Sequence, residues 1–135
     1  MNIPNAYSEL LTATGPTILS VVALDGSVQS SLVWSELEGG VISINMLNSA
    51  PKLKSLVRNG KATVLKIDPE SEDNYISIRC SLLDVVSEGA IAHLDKLTLR
   101  HYGKQQWYGE VVPNNEDEKK ARVIVYLKPE KVYCT

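Results

Sequence analysis

The chain has 135 residues, of which 44% are apolar and 22% charged, and its formal charge is −2. A balance so close to neutrality excludes a strongly basic surface and argues against nucleic acid as a partner. The length fits one domain over residues 1–135. The two cysteines and two histidines are not spaced as a disulfide framework or a structural zinc site, so no metal site is expected.

The start of the chain lacks the basic and long apolar regions of a signal peptide. Its longest apolar run is also far shorter than the ~20 residues that cross a bilayer. We therefore expect a cytoplasmic protein with no membrane partner.

The first half of the chain predicts one helix followed by strands. The helix covers residues 5–13 and is stopped by Thr14, Gly15 and Pro16. Asp25-Gly26 between two β-rich runs is a hairpin signal, and Gly39-Gly40 gives a second tight turn. Three strands of a meander are expected, over residues 17–24, 28–35 and 41–46.

The second half alternates helices and strands. A short helix follows Ser49, a plausible cap, with Pro51 in its first turn and Asn59-Gly60 at its end. A longer helix covers residues 87–102. The residues between 68 and 73 form a polar connection, and those between 104 and 120 are polar and mobile-looking. Strands are expected over residues 62–67, 74–86, 122–127 and 131–134.

Six or seven strands in one mainly antiparallel sheet, with three helices, predict an α+β protein built on a small closed barrel with peripheral helices. Closure is the usual way to remove exposed strand edges.

Few residues offer chemistry of their own. The chain has no glycine-rich phosphate loop and no Gly-x-Ser-x-Gly elbow. His93 and His101 have no nucleophile at a telling spacing, and Cys80 within a strand is expected to be packed and unreactive. No catalytic side chain is assigned, so an enzyme here would borrow its chemistry from a cofactor.

One segment could hold an anion. Lys52 and Ser55 share a face of the short helix, with Ser49 near its first turn, and a hydroxyl and an ammonium beside a helix N-terminus favour phosphate. The alternative is a solvated basic helix. Arg79, in a strand, is the second candidate, and it could instead pair with a surface acid.

The order of these elements resembles the pyridoxamine 5'-phosphate oxidase-like family of flavin-binding split barrels, and in particular its small flavin- or deazaflavin-dependent oxidoreductases. The resemblance covers about residues 7–132. It rests on the segments Gln29-Ser30-Ser31-Leu32-Val33-Trp34, Lys52-Leu53-Lys54-Ser55-Leu56, Tyr75-Ile76-Ser77-Ile78-Arg79-Cys80 and Lys128-Pro129-Glu130-Lys131-Val132. The family often has Thr at Met46, Asn at Ser55 and Gly at Cys80.

The resemblance implies a six- or seven-stranded split β-barrel that forms a homodimer with its cofactor sites at the subunit interface. Lys52 would bind the cofactor phosphate with Ser49, Ser55 and the backbone near Leu47. The ring would lie against the strand from Ser30 to Val33. The site residues implied are Ser30, Ser31, Val33, Met46, Leu47, Ser49, Lys52, Ser55 and Arg79.

The resemblance also implies an oxidoreductase that transfers hydride to or from a small organic substrate. Its cofactor would be FMN, whose single phosphate matches the Ser49 and Lys52 cluster, and FMN is favoured because contacts to a longer tail need more than loose lysines. The deazaflavin coenzyme F-420 is the alternative, with Lys54, Arg58 and Lys61 as contacts for its acidic tail. Two other hypotheses stay open. The first is a flavin or haem carrier without turnover, in which His93 or His101 would be the haem ligand. The second is a barrel that binds no ligand.

Overall fold

The computed structural model describes residue 3 and residues 5–134. Its helices are α1 (Asn5–Thr12), α2 (Pro51–Asn59), α3 (Ala90–Tyr102) and α4 (Glu116–Ala121). Its strands are β1 (Thr17–Val22), β2 (Val28–Leu32), β3 (Ser35–Glu38), β4 (Val41–Leu47), β5 (Lys61–Asp68), β6 (Ser71–Val86) and β7 (Arg122–Cys134). None of the described helices has the length and apolar character needed to cross a bilayer.

The seven strands form one antiparallel sheet in the order β2-β1-β5-β6-β7-β4-β3. The two edge strands, β2 and β3, are consecutive in the chain and joined only by Val33 and Trp34. Three Cα steps span at most about 11 Å, so the sheet must curl until its edges approach each other. The result is an α+β split β-barrel, as the sequence predicts.

The core fills the inside of this curled sheet. Ile42 and Ile44 of β4, Val64 of β5 and Ile78 of β6 belong to this core and are fully buried. Helix α1 packs on β3 and β5 through Leu11 and its neighbours, α2 packs on β1, and α3 lies against β4 and β7. Helices α1 and α2 add Leu11 and Leu56 to this core, whereas the buried residues of α3 lie outside it.

The turns at Asp25-Gly26 and Gly39-Gly40 are confirmed as the β1–β2 and β3–β4 hairpins. The prediction that the first three strands form a meander is wrong. The predicted strand over residues 28–35 is two strands, and β2 and β4 lie far apart in the sheet. The apolar pair Val33-Trp34 continues the β pattern of the sequence, although the chain crosses there from one sheet edge to the other.

Several boundaries differ from the prediction. Ala50, not Ser49, is the N-cap of α2, and it offers no side-chain hydrogen bond. The end of this helix at Gly60 is confirmed, because Gly60 has φ 77° and its N–H bonds Leu56 O. The expected polar connection is a short turn at Pro69-Glu70, with β6 already under way at Ser71.

The last third of the chain is more regular than expected. The segment after α3 contains α4 and a bridge between Tyr108 and Val112. Strand β7 continues through Pro129 as one strand, where two were predicted. The register skips Glu130 between the pairs Arg79–Lys131 and Cys80–Pro129. A bulge at this point lets a residue without an N–H stay in the ladder.

Candidate functional site

A cavity of about 300 Å³ opens where the chain passes from β2 to β3. It lies between the β2 edge, α2, the β4–β7 pair and the segment that follows α3. Its lining includes Val33, Trp34, Asn45, Lys52, Trp107 and Arg122. The two ends of this cavity differ in chemistry, one being cationic and the other aromatic.

Two positive charges define the cationic end, the Lys52 ammonium and the Arg122 guanidinium. Lys52 Nζ donates to Ser31 Oγ at 3.4 Å. Burial, and then the charge of Arg122, lower the pKa of Lys52. Neither cation forms an ion pair with a carboxylate in the part of the chain that the structure describes. An anion bound between them would relieve their repulsion.

Helix α2 is joined to β2 beside these charges. Ser55 is buried, and its Oγ donates to Gln29 Oε1 at 2.9 Å. Because side chains alternate along a strand, Gln29 and Ser31 face α2 while Ser30 faces the opposite way. Lys52 and Ser55, three residues apart on α2, thus meet Ser31 and Gln29, two residues apart on β2.

Arg122 is held from two sides. Its Nε donates to Tyr108 Oη at 3.0 Å, and Tyr108 in turn donates to Glu118 Oε1 at 3.0 Å. Its Nη1 lies 3.5 Å from Asn45 Oδ1. The Glu118 carboxylate is connected to Arg122 only through the hydroxyl of Tyr108. Because the two charges do not pair directly, the positive charge of Arg122 stays available to the cavity.

The orientation of Asn45 depends on His93. Asn45 Nδ2 donates to Ala90 O at 2.8 Å and to His93 Nδ1 at 3.1 Å. Since Nδ1 accepts, the proton of the neutral ring is on Nε2, which donates to Ser43 Oγ at 2.9 Å. His93 therefore cannot take a proton from Ser43, and the pair is no nucleophile and base. Burial above all lowers the pKa of His93 and favours this neutral form.

Four rings cluster at the aromatic end, and two of them, Trp34 and Trp107, line the cavity. Trp34 stacks on His101, with centroids 4.5 Å apart and planes 4° apart. Trp107 stands at 89° to Trp34 with centroids 5.5 Å apart, and Tyr102 contacts both indoles. Burial, and then the charges of Lys66 and Arg100, lower the pKa of His101 to about 4. The stacked imidazole is therefore neutral at pH 7.

Comparison with known proteins gives a fold but no close relative. No protein-family model and no curated protein matches the chain. Among solved structures, an F-420 reductase has a TM-score of 0.83 with 24% identity over 97% of this chain and 98% of its own. An FMN-binding protein of Syntrophomonas wolfei has a TM-score of 0.70, with 15% identity over 95% and 82%. A candidate pyridoxamine 5'-phosphate oxidase of Listeria innocua has 0.65, with 15% identity over 93% and 92%.

The fold is that of the pyridoxamine 5'-phosphate oxidase-like split barrels. The resemblance drawn from the sequence is thereby confirmed at the level of the fold, whose relatives include flavin and deazaflavin proteins.

The split barrel brings together four of the residues that the resemblance implies for the site. Val33 and Lys52 line the cavity, and Ser31 contacts Lys52. Ser55 donates a hydrogen bond to Gln29, which lies on the same face of β2 as Ser31. Their role in binding a cofactor remains a prediction.

Seven of the nine implied residues do not line the cavity itself, and five of these seven also lie outside the group formed by Lys52, Ser31 and Ser55. Met46 is 3% exposed and belongs to the core, Leu47 is half-buried at the end of β4, and Ser49 is exposed in the turn before α2. Ser30 and Arg79 lie on the other side of the sheet, called here the outer face. Cross-strand pairs place them in one row through Ser20 and Thr63. There Ser30 bonds Ser20, and Arg79 lies over the Tyr133 ring at 5.3 Å.

The sequence analysis missed Asn45 and Arg122. Asn45 was detectable from the alternation in β4, which places Ile42, Ile44 and Met46 on the core face and Asn45 on the other. Arg122 carries no local signal, because it reaches the cavity only through the pairing of β7 with β4, where it stands opposite Leu47.

The histidines and Cys80 are poorly suited to other chemistry. Both nitrogens of His93 are in hydrogen bonds, and Nε2 of His101 is buried, so neither ring presents these nitrogens to a haem at the surface. Cys80 is 3% exposed, and burial, followed by Glu130, raises its pKa to about 12. Within the described residues no three His, Cys, Asp or Glu side chains are grouped to hold a metal ion.

Proposed function

We propose that this split barrel binds FMN or the deazaflavin coenzyme F-420 and acts as an oxidoreductase that transfers hydride to or from a small organic substrate. The observation that carries the proposal is the two-ended cavity, in which Lys52 and Arg122 lack carboxylate partners among the described residues while the remaining lining is mostly apolar and aromatic. A coenzyme with a phosphate on one end and a flat ring on the other has the complementary chemistry. Two structural neighbours are named an F-420 reductase and an FMN-binding protein.

The residues present fit such a group. Lys52 and Arg122 would bind the phosphate, with Ser31 beside Lys52, and the β2 edge near Val33 would support the ring. When bound, the coenzyme supplies the hydride chemistry. The chain supplies binding and orientation. Among the described residues, the cavity lining includes no carboxylate or histidine that could act as a general base.

FMN remains the favoured coenzyme. Of the three basic residues considered for an acidic tail, Arg58 already donates to Val22 O at 2.8 Å. Lys54 and Lys61 are exposed and fixed by no described ion pair. Titration with both coenzymes decides between them.

The active form proposed is a homodimer. Apolar side chains form a row across the outer face through Leu32, Ile18, Leu65 and, beyond Ser77, Tyr133. Leu32 is 74% exposed and Tyr133 43% exposed. A second copy covering this row would bury it. It would also bring the adjacent row, with Ser30 and Arg79, into the subunit interface.

The test is coenzyme retention in point variants. We expect Lys52→Ala and Arg122→Ala each to weaken FMN binding at least about tenfold, the scale of one charge-assisted hydrogen bond lost. Lys54→Ala is the matched control, since Lys54 is exposed on the same helix and should leave affinity unchanged. Equal affinity in Lys52→Ala and wild type, measured by flavin fluorescence, would contradict the proposed phosphate site.

Turnover is tested separately from binding. The protein loaded with FMN and reduced by light should be reoxidised by an organic acceptor under anaerobic conditions, faster than free reduced FMN. If the loaded protein protects its reduced flavin from every acceptor, it is a carrier. That outcome would contradict the proposed oxidoreductase activity but not the proposed binding site.

A further inference from the structure

The aromatic end of the cavity holds both tryptophans of the chain. Trp34 and Trp107 are 73 residues apart in the sequence, yet both line the same cavity. Their planes are almost perpendicular, at 89°. A flat ring entering this corner can lie parallel to one indole and meet the other edge to face, and both arrangements are favourable between aromatic rings.

The corner is rigid before any ligand arrives. One side of Trp34 is covered by the parallel ring of His101. The backbone of Trp107 is fixed at both ends, since its N–H donates to Asp95 Oδ1 at 3.0 Å and its carbonyl accepts from Val111 and Val112. A preformed aromatic surface binds with little loss of conformational entropy.

Folding alone does not account for this cluster. None of its four rings belongs to the main hydrophobic core, and Tyr102 is 57% exposed. Two of these rings, Trp34 and Trp107, line a cavity together with a few polar side chains, and this combination is typical of a ligand site.

The charges around the corner restrict what can bind there. Lys52 and Arg122 line the cavity. Burial, and then the nearby charges of Lys66 and Arg100, lower the pKa of His101 and keep its ring neutral. Arg100 is paired with Glu36 at 3.0 Å, whereas Lys66 bonds only uncharged oxygens. Indole faces attract cations, but here the surrounding positive charge opposes them.

We propose that the corner between Trp34 and Trp107 is the substrate subsite, and that it takes a flat aromatic ring that is neutral or anionic and rejects cationic and non-planar molecules of the same size. The inference rests on the proposed function, in which the coenzyme phosphate occupies the cationic end. It adds the class of molecule that would exchange hydride with the coenzyme.

Intrinsic fluorescence tests the subsite directly, because the protein's only two tryptophans, Trp34 and Trp107, both lie in it. The probe is 2-naphthoate, with naphthyl-trimethylammonium and cyclohexanecarboxylate as cationic and non-planar counterparts. We expect 2-naphthoate to bind by calorimetry and to change the emission. The two counterparts should bind at least tenfold more weakly.

Trp107→Leu is the main variant, because Trp107 lies outside the sheet and the helices. We expect it to weaken 2-naphthoate about tenfold while FMN affinity changes less than twofold. Trp34→Leu should act in the same direction. Leu99→Ala serves as the control that changes neither, because Leu99 is exposed on α3 and lies outside both the cavity lining and the proposed subunit interface. Thermal unfolding confirms that each variant is folded.

The outcomes separate the two proposals. If Trp107→Leu loses FMN as strongly as 2-naphthoate, the corner holds the coenzyme ring and the subsite is wrong. The subsite is also wrong if Trp107→Leu binds 2-naphthoate with the affinity of wild type, or if wild type binds naphthyl-trimethylammonium as tightly as 2-naphthoate. If wild type binds 2-naphthoate with the expected dependence on Trp107 but binds neither coenzyme, the proposed function fails while the aromatic site stands.

Discussion

At the scale of single residues, the site depends on hydrogen bonds made some distance from the cavity. His93 is not in the cavity lining, but its Nδ1 accepts from Asn45, and the Oδ1 of that asparagine faces Arg122. If His93 gains a proton, its Nδ1 becomes a donor and can no longer accept the hydrogen bond from Asn45 Nδ2. Arg122 then loses one of the two groups that orient it.

We therefore expect His93→Leu to weaken FMN binding about five- to tenfold, the usual scale for a lost buried hydrogen bond. His93→Gln, which can still accept from Asn45, should restore most of the affinity. Because burial lowers the pKa of His93, protonation occurs below its ordinary range, and affinity should fall there as the pH drops. The phosphate of FMN titrates as well, so the comparison is between the pH profiles of wild type and His93→Gln. Superimposable profiles would contradict the role of His93.

The residues of the site were predictable to different degrees. Lys52 was identified from its place near the start of a helix, and the structure places it in the cavity. Met46 was assigned from the resemblance, although strand alternation alone places it on the core side with Ile44. Arg122 needed the pairing of β4 with β7, a long-range contact that no local pattern contains.

At the scale of elements, one buried side chain joins three segments. Lys66 of β5 is 1% exposed, and its Nζ donates to Ala13 O at 2.7 Å, Gly15 O at 3.1 Å and Thr17 Oγ1 at 2.7 Å. Ala13 and Gly15 belong to the connection between α1 and β1, and Thr17 is the first residue of β1. Gly15 and Thr17 also line the cavity. The ammonium has three protons and three acceptors, so its hydrogen bonding is complete.

We expect Lys66→Met to lower the free energy of unfolding by about 1–3 kcal/mol, because it leaves buried acceptors unpaired. Burial, and then Arg100, lower the pKa of Lys66 to about 8 in the folded protein. Between pH 8 and about 10.4 the unfolded chain holds this proton more tightly, so the contribution of Lys66 to the unfolding free energy rises with pH across that range. Denaturant unfolding of both proteins at pH 7 to 10 measures it. A constant difference between them would show that Lys66 does not titrate in this way.

The elements themselves were mostly predictable, since the hairpin turns and the three longer helices carry strong local signals. The break after Leu32 was missed because Val33 and Trp34 are β-formers. Pro129 was interpreted as a strand end because the bulge that accommodates it arises from the partner strand β6.

At the scale of the whole molecule, the proposal depends on what covers the outer face. Leu65 is at the centre of the apolar row there, between Ile18 and Ser77. We expect Leu65→Glu to convert the proposed dimer to a monomer, because a carboxylate would be buried without a partner. Sedimentation velocity at micromolar concentration gives the oligomeric state.

Leu99→Glu is the control, since Leu99 is 46% exposed on α3. If the site is shared between subunits, Leu65→Glu should also lose FMN. A wild-type monomer that binds FMN tightly would show that one chain makes the whole site.

The link between β2 and β3 has one more consequence. Everywhere else around the barrel, adjacent strands are held by a ladder of hydrogen bonds, and here the wall is closed by two residues of covalent chain. Val33 and Trp34 form this junction and line the cavity as well. The two residues that close the barrel are therefore also part of the surface against which a ligand would lie.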